Sequence, residues 1–343
     1  MKVLLASDQF LRDDILKEAL LRELPDAEVS SIASTWPVPP FHNVGEVREA
    51  LGDEDELIEA LQGVDVAFSH TFPFTEKVIS SCPDLKMITI CRGGPVNVNI
   101  DAATKHGVLV SYAPGRNAVA TAEHTVALIL AAARQIAQRH MEVVGGQWRS
   151  DYYIFDNVGP EIGSSTVGVI GYGNVGRRVA NIIAAFGGKV LVYDPWTKDR
   201  SGADNIEFVD DLEDLLGASN IVTLHVRESK ENTRMMNAEK FALMPESSIF
   251  INAARGTLVD YDDLADALDS GHLFAAALDC LPEEPMPTDH RLLKTPGITF
   301  TPHLAGASKN ASILAAKIGA ADIAAFARGE TPAHVANPDV LRK

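Results

Sequence analysis

Short apolar runs alternate with amphipathic stretches along almost the whole chain. Before residue 115 the runs are KVLLAS, VDVAFS, KMITIC and VLVSY; later ones are TVGVIG, KVLVYD, IVTLHV, SIFINA, FAAALD and ITFTP. Each is short and nearly continuous in apolar character, as a strand is when helices cover both faces of its sheet. Between them, segments such as EDELIEALQG and YDDLADALDSG repeat apolar residues at helical spacing. Such alternation predicts parallel α/β units. One stretch breaks the rhythm. Residues 118–144, AVATAEHTVALILAAARQIAQRHMEVV, are Ala-rich and helix-favouring, and longer than an ordinary crossover helix. The pattern predicts one long core helix there, ended by GGQWRS, with one sheet before it and another after it.

Length supports two domains, since 343 residues exceed one ordinary core and 46% are hydrophobic. A net charge of -17 speaks against a nucleic-acid partner, whose phosphates need a basic surface. It leaves a small anionic substrate open, because a few arginines reverse the sign locally. The three cysteines, Cys82, Cys91 and Cys280, form no CxxC pair. Neither a disulfide framework nor a metal site is expected, and a reducing compartment is the default. MKVLLASDQF turns polar too early for a signal peptide and is too short to span a membrane. The expectation is a cytoplasmic protein without membrane partners.

The strongest local motif is TVGVIGYGNVGRRVANIIAAFGGKVLVYDPW. An apolar strand precedes Gly171, Gly173 and Gly176, a helix follows, and a second strand ends at Asp194. This is the arrangement that binds a dinucleotide. Gly171 permits the tight turn, Gly173 lets the backbone approach a pyrophosphate, and Gly176 lets helix and strand pack closely. The helix N-terminus offers free N–H groups to phosphate. A carboxylate at Asp194 suits the ribose hydroxyls and repels a 2′-phosphate, which favours NAD over NADP. Lys198 and Arg200 lie near enough in sequence to qualify that preference.

Ligands of open α/β sheets sit outside the carboxyl ends of the strands. SIFINAARG ends in Arg255, FAAALDCLPEEP reaches Asp279 and Glu284, and GITFTPHLAG reaches His303. Singly these are a surface arginine, an acidic turn and a core histidine. At successive strand ends they suit hydride transfer at a carbon bearing oxygen. A proton must accompany the hydride, and histidine titrates near neutral pH. A carboxylate beside it stabilises the imidazolium, and an arginine holds a substrate carboxylate by paired hydrogen bonds.

With GYGNVG, NAARG, ALDCLPEEP and TPHLAG in this order, the chain resembles the D-isomer-specific 2-hydroxyacid dehydrogenases, from about Val64 onward and most strongly from Val167 to Gly306. The resemblance implies His303 as general acid/base, Glu284 as its partner and Arg255 as the substrate-binding arginine. It implies cofactor contacts at Gly171, Gly173, Asn174, Val175, Gly176, Asp194, Thr223, His225, Ala253, Thr121 and Gly306, with Asp279 on the nicotinamide carboxamide. Arg92, Gly94, Val96 and Asn117 would contact substrate. It also implies a Rossmann NAD-binding domain, residues 118–309, inserted into a flavodoxin-like substrate domain of residues 1–117 and 310–343. Closure of the two domains would exclude water from a 2-hydroxy or 2-oxo acid. A homodimer through the cofactor domain is implied as well.

The carboxylate-binding loop departs from the family pattern AGVGVDNID and reads CRGGPVNVNID. Pro95 has no N–H to give, so the donors fall to Gly94 and Val96. Arg92 is either a solvated loop charge or a cation favouring a second anionic or polyhydroxylated end of the substrate. The stretch Arg149 to Asn157 decides nothing. An NAD(H)-sensing corepressor of the same fold is the alternative. Formate dehydrogenases resemble this chain too, but carry glutamine where Glu284 stands.

Overall fold

The computed structural model describes residues 1–342. The chain forms two compact units, one from Met1–Asn117 with the segment from Ser308 onward, the other from Ala118–Ala307. The second unit ends two residues before the boundary expected at 309.

Unit 1 runs β1 (Lys2–Ser7), α1 (Asp13–Glu23), β2 (Glu28–Ala33), β3 (His42–Val44), β4 (Val47–Ala50), α2 (Glu54–Ala60), β5 (Val66–Ser69), α3 (Glu76–Ser80), β6 (Met87–Ile90), α4 (Ile100–Lys105) and β7 (Leu109–Tyr112). Its parallel sheet has the order β2-β1-β5-β6-β7, and β3 and β4 pair separately as an antiparallel hairpin. Alternate residues of β1 feed opposite cores: Leu4 and Ala6 face one cluster, Val3 and Leu5 the other. Two buried faces explain the unbroken apolar runs. The edge strand β2 has no such run and is mostly exposed, which is why the hydrophobic pattern does not predict it. A C-terminal helix, Lys309–Ala327, caps this sheet and packs on α1. It starts at Ser308, whose hydroxyl accepts from Ala311 N at 3.0 Å. It is the one helix among the described residues long and apolar enough to cross a membrane, and half of it is buried within the protein. Small residues allow the approach: a Cβ on Gly319 would lie 2.4 Å from the Phe68 ring.

Unit 2 begins with α5 (Ala118–Ala133) and α6 (Ile136–Val144), then β8 (Thr166–Ile170), α7 (Gly176–Ala185), β9 (Lys189–Tyr193), β10 (Ile206–Val209), α8 (Leu212–Ala218), β11 (Ile221–Leu224), α9 (Ala238–Leu243), β12 (Ser248–Asn252), α10 (Tyr261–Asp269), β13 (Leu273–Leu278) and β14 (Ile298–Phe300). The Lys309–Ala327 helix is α11. The sheet order is β10-β9-β8-β11-β12-β13-β14, all parallel. Together the two sheets form the expected pair of doubly wound α/β folds. Here too the core is two-sided: Val167 and Val169 lie on one face and Ile170 on the other.

The single long helix is a correction. The chain breaks at Gln135, which is left-handed at φ 48°, ψ 43°. α5 buries a stripe at helical spacing, Thr121, Thr125, Leu128 and Ala132 among others, whereas α6 buries no residue. Helical propensity runs through the break, but the core-facing stripe ends at Ala133. Beyond it, Arg139 stacks over the Tyr152 ring and the Tyr152 hydroxyl donates to Glu142, so the following arm is tied to α6.

Candidate active site

The glycine loop divides its labour among three positions. Gly171 has φ +97°, and a Cβ there would lie 2.7 Å from the His225 carbonyl oxygen. A Cβ on Gly176 would lie 1.9 Å from the Gly171 carbonyl oxygen, so helix and loop touch through bare backbone. A Cβ on Gly173 meets nothing within 4 Å. Its backbone therefore faces open space beside the first turn of α7, where N–H groups lack intrahelical partners. Asn174 and Val175 lead directly into that turn.

Asp194, just past β9, is bound back onto this loop. Its carboxylate accepts from Tyr172 N at 2.7 Å, Trp196 N at 2.9 Å and Thr197 N at 3.1 Å. A carboxylate has about four acceptor positions, so capacity remains for a hydroxyl. Open backbone, a helix N-terminus and a fixed carboxylate fit the phosphates and ribose of a dinucleotide. Arg200 pairs with Asp210 at 2.6 Å at the surface. Replacing Gly176 with alanine should lower stability by ~2 kcal/mol through overpacking and weaken NADH binding. Urea denaturation and NADH fluorescence titration check both effects.

Thr223 is fully buried and its hydroxyl lies 3.1 Å from His225 Nε2. Burial pushes the His225 ring down to about 3, so it is neutral. Thr223 thus holds the His225 ring in place.

The ends of β12, β13 and β14 are neighbours in the sheet. After β12, Asn252 bends the chain by accepting from Ala254 N at 3.0 Å and donating to the Arg255 carbonyl at 2.9 Å. The Cys280 thiol donates to the Ala254 carbonyl at 3.3 Å. The Tyr261 hydroxyl donates to the Cys280 carbonyl at 2.7 Å. A Cβ on Gly256 would lie 2.0 Å from the Leu281 carbonyl oxygen, so the turn holding Arg255 is clamped to the loop after β13. Arg255 itself is exposed, donates to the Ala254 carbonyl at 2.7 Å and makes no ion pair among the described residues.

His303 stands on the loop after β14 with φ +50°, in the left-handed region that disfavours a side chain. Asp279 holds it there. The Asp279 carbonyl accepts from His303 N at 2.8 Å. Its carboxylate accepts from the Thr301 hydroxyl at 2.6 Å and from Leu304 N and Ala305 N, each at 2.9 Å. Asp279 is 1% exposed. This carboxylate holds the TPHLAG loop and positions His303. Thr121 and Ala253 are likewise buried, and Gly306 half-buried.

His303 Nδ1 lies 2.6 Å from Glu284 Oε2, while Glu284 Oε1 accepts from Leu281 N at 2.9 Å. Facing an acceptor-only carboxylate, Nδ1 carries the proton, and Nε2 is left for other work. Cys280 and Glu284 together hold the imidazole well above its usual range, against the opposing effect of burial.

Two residues here had no assigned role in the sequence. His124 of α5 reaches the loop, with Nε2 3.0 Å from the Thr301 hydroxyl and 3.6 Å from Asp279. Its signal was a polar ring on the same helical face as Thr121. Cys280 forms, with Glu284 and His303, a group whose ligand atoms lie within 4.8 Å of one another. A divalent cation held by all three would have to part the 2.6 Å Glu284–His303 contact, which is shorter than ligand spacing around zinc. A shared proton fits that distance better.

The sequence pattern described as "D-isomer specific 2-hydroxyacid dehydrogenase, NAD binding domain" matches residues 126–305. The chain belongs to the D-isomer-specific 2-hydroxyacid dehydrogenase family. Within that family it is similar to a glyoxylate reductase of Thermofilum pendens, 35% identical over 327 residues, covering 94% of this chain and 92% of the relative. It is 36% identical over 285 residues to a D-3-phosphoglycerate dehydrogenase of Archaeoglobus fulgidus, covering 83% of this chain but only 53% of that relative's length. A crystal structure of a Thermus thermophilus protein superposes with a TM-score of 0.80 at 28% identity, over 98% of this chain and all of that one. Unit 2 thus contains the family's NAD-binding domain.

The remaining expected site residues lie in unit 1. Gly94 has open space where a Cβ would be, and the Val96 carbonyl accepts from Arg48 N at 3.0 Å. Asn117 is half-buried. Arg92 is not a solvated charge. Its side chain is 11% exposed, pairs with the Glu49 carboxylate, donates to the Glu49 carbonyl at 2.7 Å and lies 5.0 Å from the Phe41 ring centroid.

Proposed function

We propose that this protein oxidises and reduces D-2-hydroxy acids and 2-oxo acids with NAD. The observation that carries this is His303, anchored by Asp279 and paired through Nδ1 with Glu284 at 2.6 Å, on the loop beside the Arg255 turn. When bound, NAD supplies the hydride acceptor for oxidation and, reduced, the donor for reduction. His303 Nε2 gives a proton to the 2-oxo oxygen in reduction and removes one from the hydroxyl in oxidation. Glu284 stabilises the imidazolium between those events. Arg255 holds the substrate carboxylate with its planar fork and polarises the neighbouring carbonyl. Gly171 to Gly176 and Asp194 hold the dinucleotide, and Gly94, Val96 and Asn117 contact substrate. Residues 1–117 and 310–343 serve as the substrate domain, and 118–309 as the cofactor domain.

A panel of 2-oxo and 2-hydroxy acids, followed by NADH absorbance, tests the proposal. NADH binding without turnover of any member would favour a sensing protein instead. Replacing Arg255 with lysine should raise KM by ~10- to 100-fold, because an ammonium cannot reproduce two parallel hydrogen bonds to a carboxylate. Cofactor affinity should stay nearly unchanged in the same titration.

A homodimer through unit 2 is part of the proposal. Trp148, Tyr153 and Phe155 are 88%, 92% and 91% exposed on the arm after α6. Beside them is a groove of about 870 Å³ lined by Phe155, Val158, Pro160 and Phe274 among others. Large apolar patches of this kind mark interaction surfaces. Replacing Phe155 with serine should shift the sedimentation equilibrium toward monomer. Cytoplasmic residence is proposed on the three cysteines, all buried and free.

A further inference from the structure

One cation of unit 1 lacks the partner its burial requires. The chain leaves β1 through Asp8 and Phe10, β5 through His70, β6 through Arg92 and β7 through Arg116. These are the carboxyl ends of neighbouring strands, and β1 and β5 flank the point where strand order reverses. Arg116 Nε and Nη1 are buried there with no hydrogen-bond partner among the described residues. Its guanidinium lies 5.8 Å from the Phe10 ring centroid. Burial first, and the nearby charge of Arg92 second, push it down to about 10.

Neither neighbouring carboxylate is available to it. Asp8 Oδ1 accepts from Phe10 N at 2.9 Å and Leu11 N at 2.7 Å, and Oδ2 faces His70 Nδ1 at 2.5 Å and the Thr71 hydroxyl at 3.3 Å. Glu49 is paired with Arg92. Leaving a buried guanidinium N–H unmet is costly, more so for a charged group. The fold tolerates that cost where a ligand supplies the acceptor. Gly93 and Gly94, following Arg92, have open space where a Cβ would be, so the adjoining loop is not packed shut.

We propose that Arg116 is an anion-recognition residue that receives a carboxylate or phosphate at the far end of a dianionic 2-oxo or 2-hydroxy acid. The substrate class is thereby narrowed to acids with a second anionic group, and Arg116 becomes its specificity determinant. This rests on the dehydrogenase activity proposed above. Arg92, held by Glu49, lends positive potential without being the primary contact.

Two matched pairs test it: 2-oxopentanoate against 2-oxoglutarate, and hydroxypyruvate against its 3-phosphate, each with NADH. The pairs distinguish a carboxylate from a phosphate. In the wild type the anionic member of at least one pair should be preferred by ~10- to 100-fold in kcat/KM, the strength of a charge-assisted contact. Arg116→Met should erase that preference by slowing the anionic member alone, and Arg116→Lys should keep part of it. An equal loss for both members, or a wild-type preference for the neutral member in both pairs, overturns the proposal. Calorimetric binding of inorganic phosphate and of succinate, in wild type and Arg116→Met, separates this from the activity itself. If no acid is turned over but Arg116-dependent anion binding persists, the activity fails and the anion site stands. No anion binding together with no preference sinks the site.

Discussion

Replacing His303 with alanine should lower kcat for 2-oxo acid reduction by ~10³-fold, the worth of a positioned general acid. The imidazole is the group near Arg255 whose free nitrogen can exchange a proton, because Nδ1 is already bound to Glu284 at 2.6 Å. NADH affinity should change little. His303 bonds to Asp279, Thr301 and Glu284, none of which belongs to the glycine loop or to Asp194. Asparagine provides a second variant, since it tolerates the left-handed backbone at φ +50° better than other residues and cannot act as an acid. Pre-steady-state and steady-state NADH absorbance read the rate, and fluorescence titration reads cofactor affinity. Unaltered turnover in both variants would remove His303 from the mechanism.

Replacing Glu284 with glutamine should move the alkaline limit of reduction to lower pH. The sign follows from the protonation state required. Reduction needs the imidazolium, which persists up to its pKa, and that pKa is raised in part by the Glu284 carboxylate. A neutral amide withdraws that support, so the pKa falls toward the ordinary value near 6.5. Above the new limit, each unit of the fall costs about a factor of ten in rate. Oxidation needs the neutral imidazole, so its acid limit should fall in parallel. Profiles of kcat/KM against pH in both directions check this. A limit that stays put would leave Cys280, the other group raising the pKa, as the controlling neighbour.

The elements buried on both faces were legible because burial makes them apolar along their length. VLVSY, SIFINA and FAAALD are such strands. β2 and β10 were not, since much of each strand faces solvent. The break between α5 and α6 escaped for a related reason: Gln135 carries no glycine or proline signal, and only the loss of a core to pack on ends the helix. In the site, residue types at strand ends pointed to hydride chemistry, but local pattern could not say which acid does which task. Asp279 and Glu284 are five positions apart. One is buried under three loop hydrogen bonds and the other reaches the imidazole, a difference of direction at the end of β13. Arg92 showed the same limit, since its partner Glu49 lies 43 residues away.

Periodicity, glycine spacing and strand-end chemistry, all of them local along the chain, were sufficient by themselves to determine two α/β sheets covered on both faces, a dinucleotide loop and a set of acid–base and anion-binding side chains. Tertiary structure alone decided which charges are satisfied. Asp279 is engaged by a backbone turn and Arg92 by Glu49, whereas Arg116 Nε and Nη1 have no hydrogen-bond partner among the described residues. The reason is physical: the cost of a buried charge depends on partners brought from distant segments, and sequence spacing does not encode their distance or direction.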